Sequence, residues 1–103
     1  MSITQMNQIE NKPWGSYEVL LDEPNYKVKR IVVDAYQRFS LQYHKHREEH
    51  WVIVDGSGMV EIKGKEFYAI TRSHWVILPK EIHRATAGPV SYTHLTLPTT
   101  SKV

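Results

Sequence analysis

Cysteine is absent from this 103-residue chain, which excludes a disulfide framework. No apolar run approaches the ~20 residues that span a membrane. The N-terminus, MSITQMNQIENK, has no basic start followed by an apolar stretch, so it carries no secretory signal. Charge of one sign is scarce too. The net value of +2 is too small for a nucleic-acid partner, and no basic run is long enough to form a patch. Met1 reads as a true start, and these absences together predict a cytoplasmic protein with neither nucleic acid nor membrane as partner.

What is present is enough for a core. Hydrophobic residues make up 41% and aromatics 11%, the balance of a folded chain. The length is that of one domain. A domain this small buries a smaller share of its surface than a larger one, so a homodimer is expected.

Glycine and turn residues divide the chain into short strands. Strands are predicted at Trp14 to Leu21, Tyr26 to Val33, Phe39 to Tyr43, Trp51 to Val54, Met59 to Ile62, Glu66 to Ile70 and Trp75 to Leu78. Asp22-Glu23-Pro24-Asn25, Asp55-Gly56-Ser57-Gly58 and Lys63-Gly64-Lys65 are the turns between them. Nothing reads as a long amphipathic helix. The expected class is all-β, a sandwich or closed barrel.

Histidine is the unusual count. There are six, three of them between residues 44 and 50, and neutral imidazole is the commonest metal ligand. Alternation along a strand puts Ser40, Gln42, His44 and His46 on one face and Phe39, Leu41 and Tyr43 on the other. A polar face of that kind also suits a strand that meets water. Glu49 lies just beyond, and His83 just past Pro79. Three imidazoles and a carboxylate would make a mixed N/O site for one divalent ion, Zn, Mn, Fe, Co or Ni.

His44-x-His46, Glu49 and then Gly56 resemble the first cupin motif, and Pro79 to His83 resembles the second. Pro13-Trp14-Gly15-Ser16-Tyr17, Tyr26-Lys27-Val28-Lys29-Arg30-Ile31 and the string from Ser40 to Trp51 are similar to the cupin domain of type II phosphomannose isomerases. That domain is also the C-terminal half of bifunctional mannose-1-phosphate guanylyltransferases. Ile82-His83-Arg84 belongs to the same pattern. The resemblance implies a small jelly-roll cupin barrel over residues 12–89, after an N-terminal extension over 1–11. It implies interconversion of mannose 6-phosphate and fructose 6-phosphate, with a sugar phosphate as partner. Metal ligands would be His44, His46, Glu49 and His83. Gln42, Arg47 and Arg84 would bind substrate, with Arg47 offering a planar fork for phosphate. Arg47, Glu49 and His50 are the catalytic candidates. If Glu49 points inward, His50 points outward, so both cannot be the inward base.

The chain departs from that pattern in places. Tyr36 stands where the family has Gly, so the turn before the metal strand is expected to differ. Pro79-Lys80-Glu81-Ile82-His83 is one residue short and lacks a Gly, and Ala87 replaces a common Asn. From Val90 the chain reads VSYTHLTLPTTSKV, without a clear alternating face. It resembles a tail that recurs on unrelated fragmentary predicted genes. Residues 90–103 are therefore read as non-native or disordered, and the barrel as lacking its last native strand.

Dull readings stand beside these. Arg47 also fits a solvated loop charge and His50 an ordinary surface residue. Lys27 and Lys29 suit an outer sheet face. Trp14, Trp51 and Trp75 suit a core or a dimer interface. His74 and His94 have no nameable partners. Three functions remain open at this level: a metal-dependent sugar-phosphate isomerase, a non-catalytic sugar- or nucleotide-sugar-binding cupin or fragment of the bifunctional enzyme, and another metal cupin enzyme such as an oxygenase.

Overall fold

The computed structural model describes residues 9–100, with side chains described through residue 94. Every regular element among them is a strand. Nine are present: β1 Ile9–Lys12, β2 Gly15–Asp22, β3 Lys27–Val33, β4 Arg47–Asp55, β5 Ser57–Ile62, β6 Lys65–Ile70, β7 His74–Ile77, β8 His83–Ala87 and β9 Tyr92–Thr100. They form a six-stranded sheet, ordered β1-β2-β3-β9-β4-β7, and a three-stranded sheet, ordered β6-β5-β8, antiparallel throughout. No helix among the described residues is long and apolar enough to cross a membrane.

The core lies between the sheets. Val33, Trp51, Ile53 and Ile77 come from the larger sheet and Val60, Ile62, Ala69 and Ala85 from the smaller. Alternation on β4 explains its share: Glu49, Trp51 and Ile53 are buried while Val52 and Val54 are exposed. Gly56 does not close a hairpin. It carries the chain from one sheet to the other with φ 93°, and a Cβ there would lie 2.3 Å from the Ser91 carbonyl oxygen. Lys63 and Gly64, with φ 54° and 80°, do close the β5–β6 hairpin, as a turn with two positive φ values requires.

Three expectations are corrected. The predicted strand from Phe39 to Tyr43 is not a regular strand. Within residues 38–43 only Arg38 and Gln42 make isolated bridges, to Thr86 and His83 on the edge of β8, and the chain bends at Lys45–His46. Tyr36 adopts the left-handed conformation, φ 62°, that a Gly would take, so the turn before this segment is kept. Its amide donates to the Gly88 carbonyl. Third, the segment read as a shapeless tail contributes β9, which runs between β3 and β4. Its alternation was hidden because the inward residues, Tyr92 and His94, are both fully buried yet polar-tipped. Whether these residues are native or foreign is a separate matter from their pairing, since a ladder is satisfied by any strand whose inward side chains fit. Residues 1–8 of the expected extension and residues 101–103 of the expected tail lie outside the described residues.

Candidate metal centre

Three donors converge where β4, β8 and the segment before β4 meet. The ligand atoms of His44, Glu49 and His83 all lie within 4.8 Å of one another. Glu49 is 4% exposed and His83 1%. Backbone pairing sets this up. Gln42 and His83 exchange both hydrogen bonds at 2.9 Å, so His44, two residues on, falls beside His83 with ring centroids 5.2 Å apart. The shortened second motif still reaches the site. Lys80 takes φ 72°, the conformation usually left to Gly, and its amide donates to the His44 carbonyl at 2.6 Å.

The protonation pattern suits a cation. His83 Nδ1 lies 2.8 Å from the Glu81 carbonyl oxygen, which only an N–H can satisfy. In the neutral ring Nε2 then carries the lone pair; it is buried without a hydrogen-bond partner among the described residues and sits 3.7 Å from Glu49 Oε1. His44 Nε2 is 2.8 Å from Arg47 NH2, and a guanidinium can only donate, so this nitrogen also presents a lone pair. One unpartnered imidazole nitrogen on His83, one on His44 that must release the Arg47 guanidinium to ligate, and a carboxylate make the N/O donor set that Zn, Mn, Fe, Co or Ni accepts. Fixing the distal ring nitrogen on a carbonyl is how metal-bound imidazoles are held.

Glu49 is oriented from both sides. Trp51 Nε1 donates to Oε1 at 2.8 Å, Arg47 Nε donates to Oε2 at 3.0 Å, and a second guanidinium nitrogen of Arg47 pairs with Oε2 in charge at 2.9 Å. Burial, then the Arg47 charge, holds the His44 imidazole below its usual pKa, which keeps it neutral and able to ligate.

The site faces a cavity of about 370 Å³, lined in part by Trp14, Gln42, His44, Arg47, Glu49 and Trp51. Of the residues expected to act there, Gln42, His44, Arg47 and Glu49 line it and His83 stands at the donor cluster. His46 is not brought in. It is exposed, beyond the bend, in a shallow depression with Tyr43 and Lys45. His50 faces the opposite side of β4, its Nε2 2.6 Å from Glu48 Oε2. Arg84 alternates with buried His83 and Ala85 and points outward, donating to Glu61 at 3.0 Å.

The sequence reading missed two residues. Lys29, assigned to an outer face, lines the cavity together with Ile31. The face of β3 bearing Lys29, Ile31 and Val33 is the inward one, and apolar Ile31 and Val33 at alternate positions from Lys29 were the signal in the sequence. His94, left without partners, stacks on Trp51 with centroids 4.3 Å apart. Both its nitrogens are buried without partners among the described residues, and burial lowers its pKa to about 3.

The family described as "Mannose-6-phosphate isomerase C-terminal" matches residues 2–95. This chain belongs to that family. A mannose-1-phosphate guanylyltransferase of Klebsiella pneumoniae is 41% identical over 68 residues, 66% of this chain and 14% of that protein. The alginate biosynthesis protein AlgA of Pseudomonas aeruginosa is 37% identical over 73 residues, 71% of this chain and 15% of that protein. The chain thus matches about one-seventh of the length of these curated relatives. Among solved structures, an RmlC-like cupin from Shewanella frigidimarina superposes with a TM-score of 0.85 at 17% identity, covering 98% of this chain and 90% of that one. KdgF from Halomonas sp. gives 0.84 at 15% identity, covering 95% and 88%. These likenesses establish the cupin jelly-roll fold.

Proposed function

We propose that this chain is a metal-dependent isomerase domain that interconverts mannose 6-phosphate and fructose 6-phosphate. The observation that carries the reading is the buried His44/Glu49/His83 donor set opening on a cavity, in a chain of this family. A divalent ion held there would supply Lewis-acid polarisation of the sugar carbonyl. Gln42 can hydrogen-bond a sugar hydroxyl from the same wall. Trp14 and Phe39, packed edge to face at 5.6 Å, give an apolar surface that excludes water from part of the cavity. Of the two proton-transfer candidates, Glu49 faces the cavity and His50 does not, so Glu49 is the residue this reading retains.

The test is to load the purified chain in turn with Zn, Mn, Fe, Co and Ni, add mannose 6-phosphate, and follow fructose 6-phosphate by coupled assay. Turnover that is lost in Glu49→Gln supports the reading; no turnover with any of the five candidate metals sinks it. A second reading, a non-catalytic sugar-binding domain, is favoured by one observation. The Glu49 carboxylate already accepts two hydrogen bonds, from Trp51 and Arg47, and is ion-paired with Arg47, which leaves it poorly placed to move a proton. Sugar-phosphate binding without turnover identifies that case.

A further inference from the structure

We propose that Lys29 and Lys12 form an anion-binding cradle around Tyr17, which takes the phosphate group of a ligand whose other end faces His44, Glu49 and His83. This rests on the proposed sugar-phosphate reading and gives it a phosphate subsite different from the expected one at Arg47.

Register puts the three side chains together. Glu10 on β1 and Ile31 on β3 are both paired with Tyr17 on β2, so the three share a face. Lys12 and Lys29 lie two residues from these partners, on that same face. All of Lys12, Tyr17 and Lys29 line the cavity. The Lys29 ammonium is 5.2 Å from the Tyr17 ring centroid and that of Lys12 is 5.8 Å. A cation–π contact offsets only part of the cost of holding each ammonium at the cavity wall. Among the described residues, no carboxylate forms an ion pair with either ammonium. Lys29 is half-buried, and desolvation, then the Arg47 charge, lowers its pKa. A phosphate dianion would offset both the desolvation of the Lys29 ammonium and its repulsion by Arg47.

Arg47 is a poorer candidate because it is engaged. Its guanidinium donates to Glu49 and to His44 within the donor cluster. At the backbone the cradle stands off from those donors, although the Arg47 and Glu49 charges still act on the Lys29 ammonium. Lys29 pairs with Thr96 and Thr96 with Trp51, so two strand spacings, roughly 10 Å of sheet, separate Lys29 from the strand that bears Glu49. That suits a ligand with its phosphate at one end of a carbon chain and its carbonyl at the other.

The test titrates inorganic phosphate, mannose 6-phosphate and mannose into the full chain by calorimetry. A chelator is present, so that no metal–phosphate contact contributes. Losing a charge-assisted contact predicts that Lys29→Met weakens phosphate binding by roughly 10- to 100-fold. Mannose 6-phosphate should weaken in parallel and mannose should not change. Lys29→Arg should restore most of the binding, Lys12→Met should have a smaller effect, and Lys65→Met on β6 none. Urea midpoints of each variant confirm that it is folded. Phosphate bound as tightly by Lys29→Met as by the parent overturns the proposal, as does a loss on Arg47→Met alone. Lys29-dependent phosphate binding without isomerase turnover keeps the cradle and sinks the isomerase. Turnover with a KM unmoved by Lys29→Met does the reverse.

Discussion

Glu49 and His83 ride on strands, whereas His44 and His46 sit on the irregular segment 34–46. The strand-borne pair is almost fully buried and held by named hydrogen bonds, from Trp51 and Arg47 on one and to the Glu81 carbonyl on the other. On the segment, position depends on a few tethers. His44 is fixed by the Gln42–His83 bridge and the Lys80 amide, while two residues later the bend turns His46 to solvent. Spacing of two residues delivers two side chains to one point only while the backbone stays extended.

The comparison can be broken first through stability. Trp51→Ala removes the buried ring that packs on Phe39, His83 and His94 and that holds Glu49. It should cost about 3–5 kcal/mol in urea unfolding. Tyr43→Ala, on the irregular segment and half-exposed, should cost no more than about 0.5 kcal/mol. Equal costs would mean that the segment is as constrained as the strands.

A smaller effect concerns β9. Among the described residues His94 has two unpartnered buried nitrogens, so His94→Leu should stabilise by about 1 kcal/mol at pH 7. The gain should widen as pH falls. With a folded-state pKa of about 3 and an unfolded value near 6.5, the unfolded chain binds the proton first. The stability His94 permits above about pH 6.5 is therefore lost on the way down to about pH 3. His44 is depressed in the same direction and accounts for part of the slope that remains. Denaturant midpoints at pH 7 and pH 5 measure this, and a parallel fall in parent and variant would refute it.

The smallest effect lies at the segment's entrance. Tyr36→Gly relieves a left-handed residue and should raise stability by about 1 kcal/mol, partly offset by the added freedom of the unfolded chain. A loss in thermal unfolding would mean that the Tyr36 side chain contributes more than its strain costs.

Much of this was legible in the sequence. Alternation and glycine turns gave the all-β class, and β2, β3, β5, β6 and β7 fall close to where they were predicted. Glu49 inward and His50 outward follow from alternation on β4. The remainder depended on tertiary context. No local pattern separates an extended strand from a segment such as 38–42 that merely bridges the edge of β8. Lys29 looked like a surface residue because a lysine at an inward position makes sense only when a cavity lies in front of it. β9 was missed because its described inward residues are Tyr92 and His94, with no aliphatic stripe among them.

The strand-borne donors are the centre of this account, and a metal titration tests them most directly. Chelator-stripped parent, His83→Ala, Glu49→Ala and His46→Ala proteins are titrated with Zn and with Mn, and the dissociation constants compared. Losing a buried donor should weaken binding by more than the roughly 10- to 100-fold typical of an outer-shell contact, so His83→Ala and Glu49→Ala should both exceed that range. His46→Ala should lose far less. Metal bound as tightly by His83→Ala as by the parent, or a loss in His46→Ala as large as in His83→Ala, would contradict the site.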